Sequence, residues 1–291
     1  MQTWYKERKR QYDLPFVILL KLETAMTTAI EQIGRSGLHA FSSFLDTLAF
    51  AIKILARMFD VRAYNSAVRM VLINQIYFTS VQILPLFLTV AAGFGAIVIG
   101  IIGQYLIHLG LFDYFGQLLM GFVVTEFAPF ITVLLIALRS SSAVNAEIAV
   151  MKVNKELNTL HVFRIDVINY LFLPRILCGI LSIVLLSWLF SIVVLTSGLI
   201  FSALLFDMSM NDYVTVLLVS ANFSDLIVMS IKCATMGFFI VMIPIRYGMR
   251  ATDELTSIPV SVLHGMVNVF IAIMIIEVVS LIVMSLIEKF I

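Results

Sequence analysis

Apolar residues run through this chain in blocks too long for soluble helices. From Met70 to Phe112 there is no Asp, Glu, Lys or Arg. A membrane-spanning helix needs about 20 apolar residues. The pattern therefore predicts five spans, at about residues 76–103, 114–138, 170–206, 225–247 and 258–287. Charge is sparse inside them: Glu126 in the second, Arg175 near the start of the third, Lys232 well inside the fourth and Glu277 in the fifth. The first 69 residues hold no clean span. Over residues 33–59 apolar positions recur at helical spacing (Leu38, Phe41, Leu45, Leu48, Ile52, Leu55) with Ser42, Asp46, Lys53 and Arg57 between. That predicts amphipathic helices lying on the cytoplasmic leaflet. The expected organisation is an interfacial region at 1–69 and a transmembrane domain at 70–291. The fold class is an all-α membrane protein.

One polar helix interrupts the apolar pattern. The stretch LRSSSAVNAEIAVMKVNKELNTL covers residues 138–160. On a helix over about 143–160, Ala146, Ala149, Val150, Val153, Leu157 and Leu160 make one apolar stripe. Glu147, Lys152, Asn154, Lys155, Glu156 and Asn158 lie off it, and Lys152–Glu156 is a favourable i,i+4 pair. Ser140–Ser142 could cap its start. Two readings stay open from pattern alone: a helix resting on the membrane surface, or a docking helix for a cytoplasmic partner.

Composition agrees with the spans. Of 291 residues, 61% are hydrophobic and 13% charged, against about 45–50% and 25% in soluble domains. Where the charges sit is more informative than their net value. Ten of the 19 Lys and Arg precede the first span, and five lie between the second and third, from Arg139 to Arg175. The loops after the first and third spans have none. The positive-inside rule then puts the N-terminus in the cytoplasm and, after an odd number of spans, the C-terminus outside.

Several chemistries find no support. The dipeptide Gly-Lys is absent, so no G-x-x-x-x-G-K-[ST] phosphate loop exists. There is no H-E-x-x-H and no G-x-S-x-G. The four histidines (His39, His108, His161, His264) are scattered, and Cys178 and Cys233 lie within apolar runs without metal-ligand spacing. Catalytic and metal-binding residues are thus expected to be absent, as are cofactors held by this chain and nucleic acid as a partner. The N-terminus is too polar for a signal peptide, so targeting should rely on the spans themselves.

Ionisable groups inside a span are costly, about 2.5–3.5 kcal/mol on insertion scales, and usually face protein or water. Glu126 could line a cavity or bond to a neighbouring helix. Lys232 could meet lipid phosphate, pair with Asp225 at i−7 or with Glu277, or snorkel to the outer interface. Glu277 is deep in the last span with no obvious partner. Gly93, Gly95, Gly100 and Gly103 suggest close helix packing along the first span. Residues 211–222 suggest a short helix in the outer loop.

The stretch from Thr125 to Leu177 resembles the MlaE/YrbE family, the permeases of MCE-type lipid-transport ABC systems. Glu126 and Pro129 match that family's R-E-L-G-P block. Arg139, Ala143, Ala146, Glu147 and Met151 match G-R-x-G-x-A-x-x-A-E-x-x-x-M. Asp166 and Pro174–Arg175 match its D-P and P-R. Farther on, DLIVMSIK (225–232) and Ile33-Gly34-Arg35-Ser36-Gly37 resemble two further blocks, so the likeness covers roughly residues 33–285. Thr125 replaces an Arg, Val167 a Pro, and Lys155–Glu156 a Glu-Gln pair, which marks a divergent member.

The resemblance implies an interfacial N-terminal helix, five spans and a cytoplasmic coupling helix between the second and third. It implies a homodimer holding phospholipid, an ABC ATPase subunit that supplies ATP and Mg chemistry, and a hexameric ring of MCE-domain protein outside. It leaves room for a small cytoplasmic regulatory subunit. The location it implies is the bacterial inner membrane. Glu147, Met151, Lys152, Lys155 and Glu156 would then meet the ATPase, while Glu126, Pro129, Lys232 and Glu277 would be the lipid-cavity or intramembrane polar set. Two other functions remain: an ion- or proton-coupled carrier using Glu126, Lys232 and Glu277, and a membrane scaffold that moves nothing.

Overall fold

The computed structural model describes residues 47–60, 66–206 and 209–290. Two compact units divide the chain, Met1–Lys53 and Ile54–Ile291. Of the first, residues 47–53 are described and are helical. The other amphipathic positions expected before residue 47, and the 33–37 block, lie outside the described residues.

Every regular element among the described residues is helical: α1 (Ser66–Ile76), α2 (Leu84–Leu109), α3 (Phe115–Leu118), α4 (Ala128–Ile136), α5 (Ser142–Val153), α6 (Glu156–Val162), α7 (Leu173–Phe206), α8 (Met210–Ser220), α9 (Phe223–Met249) and α10 (Ser257–Phe290). Five runs are long and apolar enough to span a membrane: Val68–Leu109, Phe112–Val153, Ile168–Leu204, Phe223–Met249 and Ser257–Leu286. The second run has 42 residues, about 60 Å at 1.5 Å per residue. The hydrocarbon layer is about 30 Å thick, so a run of this length extends well beyond it.

Three of these helices widen into π turns, and proline accounts for three of the four π segments among the described residues. The π segments Tyr77–Val81, Leu119–Phe127 and Ile168–Phe172 each precede a proline, Pro85, Pro129 or Pro174. Proline cannot donate to the carbonyl four residues back. That carbonyl belongs to residue 81, 125 or 170, inside the π segment each time. The wider turn redistributes the bonds the proline removes. At its far end α2 stops on Gly110, whose φ of 69° is left-handed. The Leu111 N–H donates to the Leu106 carbonyl at 2.9 Å, closing the helix end.

The third and fourth spans form the centre, and the first and fifth pack on their flanks. Phe87 of α2 and Phe190 of α7 are fully buried and meet edge to face at 5.4 Å. The α7 and α9 backbones touch. A Cβ on Gly237 would lie 2.7 Å from the Ile180 Cα, so only glycine permits this crossing. The last span is peripheral: 11% of its apolar window is buried, against 56% for the second and fourth. The expected outer-loop helix is α8, capped by Ser209, which accepts from the Asp212 N–H at 3.2 Å. Its Tyr213 is buried and donates to the Leu195 carbonyl at 3.1 Å. Burial pushes that phenol well above its ordinary pKa.

Candidate functional site

Glu126, Lys232 and Glu277 meet. Glu126 sits in the π segment before Pro129, Lys232 on α9 and Glu277 on α10. The Lys232 Nζ donates to a Glu126 carboxylate oxygen and to Glu277 Oε1, the latter at 2.9 Å. The Lys232 side chain is 3% exposed, and the two glutamates 14% and 16%. Three groups that would each be costly alone share their charge across the second, fourth and fifth spans. Of the two carboxylates weighed for Lys232, it takes Glu277 and adds Glu126. The partnership also accounts for Glu277. Its Oε2 remains buried without a hydrogen-bond partner, and one lysine faces two carboxylates. Lys232 lies nine residues in from Phe223, and Glu277 nine short of Leu286. Each is thus about 14 Å along its helix from the same end of the antiparallel pair.

The polar segment beyond Leu138 is seated rather than draped. α5 continues the second span through the π turn Ala137–Ser141. It packs against α9 and α10. Asn145, fully buried, is the key: its Nδ2 donates to the Ser261 carbonyl at 3.2 Å, and the Ser261 hydroxyl donates to its Oδ1 at 3.1 Å. Gly248 of α9 makes room for Ile148, since a Cβ there would lie 2.8 Å from the Ile148 Cβ. The buried face is therefore Ser141, Asn145, Ile148 and Ala149, and Val150 of the expected stripe is 39% exposed. The stripe is rotated because two helices, not a membrane surface, cover this face.

Two local expectations are corrected. The serines do not cap a helix start, because the helix does not start there. The Ser141 hydroxyl donates to the Ile240 carbonyl at 2.7 Å and the Ser142 hydroxyl back to the Leu138 carbonyl at 2.7 Å. Nor is the polar segment one helix. Lys155, at φ 60°, separates α5 from α6. The break removes the Lys152–Glu156 pair, and Glu156 accepts from Asn154 Nδ2 at 3.1 Å instead.

Of the five residues assigned to an ATPase contact, Lys155 and Glu156 lie exposed at this elbow, and Met151 and Lys152 are half-buried on α5. Glu147 stays half exposed while it pairs with the third span. The Arg175 Nη2 donates to its Oε1 at 2.5 Å, joining two of the sequence blocks that carry the family resemblance. Arg175 is 3% exposed. Asp166 holds the start of the third span, its Oδ1 accepting from the Ile168 N–H at 3.1 Å, and its Oδ2 lies 3.7 Å from the Arg57 Nη2. Asn145 and Ser261 escaped sequence reasoning. Their only signal was a polar residue facing helix-spaced small neighbours.

A family model described as Permease MlaE matches residues 72–283. Over 187 residues the chain is 28% identical to the probable ABC transporter permease protein slr1045 of Synechocystis, which covers 64% of this chain and 71% of that protein. It is 30% identical over 173 residues to protein TRIGALACTOSYLDIACYLGLYCEROL 1, chloroplastic, of Arabidopsis thaliana, covering 57% of this chain and 48% of that one. Against the intermembrane phospholipid transport system permease protein MlaE of Haemophilus influenzae it is 33% identical over 120 residues, covering 41% and 46%. The chain thus spans about half the length of the latter two.

Proposed function

The chain belongs to the MlaE permease family, and from that premise we propose that it is the membrane subunit of an ABC transporter that moves phospholipid. ATP is hydrolysed by a separate subunit, with its Mg, and an MCE-protein ring receives or delivers the lipid on the outer side. The working unit is a homodimer in a bacterial inner membrane, N-terminus cytoplasmic and C-terminus periplasmic. A small cytoplasmic regulatory subunit completes the cytoplasmic side.

The observation that carries this reading is the seat of α5. An ATPase pushing on the Lys155–Glu156 elbow would push on a helix continuous with the second span. That helix is bonded to the fifth span through Asn145–Ser261 and latched to the third through Glu147–Arg175. Force applied at the elbow has a rigid path into three spans. Met151, Lys152, Lys155 and Glu156 form the contact. Glu126, Pro129, Lys232 and Glu277 set how those spans fit together around the lipid path.

The test is affinity purification of the chain from its native membrane. Co-purification of an ATPase, an MCE-domain protein and bound phospholipid is expected. A chain that comes alone and free of lipid would sink the proposal.

A further inference from the structure

Between the first span and the start of α5 lies a cavity of about 400 Å³, within the range of small-molecule sites. Gln75, Thr79 and Gln82 line it from one side, and Arg139, Ser140 and Glu147 from the other. None of Gln75, Gln82 or Arg139 takes part in the ion cluster or in the seat of α5. The Arg139 side chain has no ion-pair partner among the described residues.

The lining sorts by chemistry. A guanidinium, two carboxamides and two hydroxyls offer donors suited to phosphate oxygens. Glu147 offers the opposite. One of its oxygens is held by Arg175, and its side chain is 55% exposed. Its other oxygen is free for a cation. Behind it, Arg175 keeps Nε and Nη1 buried and unpartnered, so the pair leaves local positive potential for an anion. Arg139 and Glu147 put both signs of charge on the cavity wall, with Arg175 behind, as a headgroup that carries a phosphate and an ammonium requires. Phe78 also lines the cavity and is 59% exposed on a span, an apolar flank for acyl chains.

From this lining we propose that the cavity binds the headgroup of an amine-bearing phospholipid, its phosphate against Arg139 and its ammonium against Glu147. Phosphate plus amine is shared with free phosphoethanolamine, but the apolar flank selects the lipid. The site rests only on the chain's being in a membrane, and it can be read without an ATPase. Its failure would leave the transport proposal standing.

The experiment places a photoreactive benzoylphenylalanine at Phe78 of the full chain. The purified protein is put in nanodiscs of phosphatidylethanolamine or of phosphatidylglycerol with the same acyl chains. Crosslinking should favour phosphatidylethanolamine by about fivefold, and Arg139→Gln should remove most of that capture while Arg139→Lys retains part of it. Thermal melts of the same samples check that the exposed Arg139 variants stay folded. Equal capture of both lipids, or capture indifferent to Arg139→Gln, would overturn the site. Capture erased by millimolar phosphoethanolamine would overturn the lipid as occupant in favour of the free headgroup.

Discussion

Arg175 at the start of the third span is buried against Glu147, whose own side chain is half in the open. The asymmetry makes the two ends of this pair unequal. Glu147→Ala strands a buried guanidinium that already has two unpaired nitrogens, and removal of one partner from such a pair costs about 3–5 kcal/mol. Arg175→Leu leaves an exposed carboxylate that water can solvate, and should cost less. Thermal unfolding in detergent should rank Glu147→Ala as the more damaging. The reverse order would mean that Arg175 finds another acceptor.

The ion cluster predicts a non-additive series. Lys232→Met leaves Glu126 and Glu277 facing each other without a cation and should destabilise strongly. Adding Glu126→Gln and Glu277→Gln to it should recover much of the loss, because the neutral cluster no longer carries uncompensated charge. A triple variant no better than Lys232→Met would argue that the lysine acts by packing rather than by charge.

At the elbow, charge and backbone can be separated. Lys155 holds a left-handed conformation that glycine adopts freely. Lys155→Gly should leave folding intact, and Lys155→Val should disturb it. Reversing Lys152 and Lys155 to Glu should preserve insertion but uncouple ATP hydrolysis from lipid movement. Unchanged lipid-stimulated hydrolysis in reconstituted vesicles would remove the elbow from the contact.

Gly237 and Gly93 should respond oppositely to alanine. A Cβ at Gly237 meets the Ile180 backbone, while one at Gly93 meets nothing within 4 Å. Gly237→Ala should lower the melting temperature by forcing α7 and α9 apart. Gly93→Ala should be neutral or stabilising by up to about 1 kcal/mol, the helix preference of alanine over glycine. Circular dichroism melts decide both.

Tyr213 gives a pH dependence. Its folded-state pKa lies above the ordinary value of 10.0, so the folded chain holds the phenolic proton more tightly than the unfolded chain. That contribution is complete below pH 10 and declines as pH rises above it. Tyr213→Phe should flatten the alkaline end of a stability profile. At neutral pH it should cost about 0.5–1.5 kcal/mol for the lost bond to Leu195.

The spans were legible because length and apolar character suffice to define them; Glu277 was one of several partners the pattern left open for Lys232, and Glu126 as its second partner was not among them. The seat of α5 was not. An amphipathic stripe reports that one face is covered, but membrane surface and neighbouring helix leave the same mark. Only the position of Asn145 distinguishes them, since an amide that hydrogen-bonds Ser261 needs a protein partner. The break at Lys155 was hidden because lysine carries no bias toward a left-handed backbone. The serines misled because hydroxyls that cap helix starts also bond back to carbonyls within a helix.

The ion cluster also has an order in time. Glu126 precedes Lys232 by 106 residues, and Lys232 precedes Glu277 by 45. At the usual 5–20 residues per second, roughly 5–20 s pass between the synthesis of Glu126 and that of its counter-ion. The second span must therefore leave the ribosome, and begin its insertion, with its acid unmatched. The chain completes the cluster only when its last helix arrives.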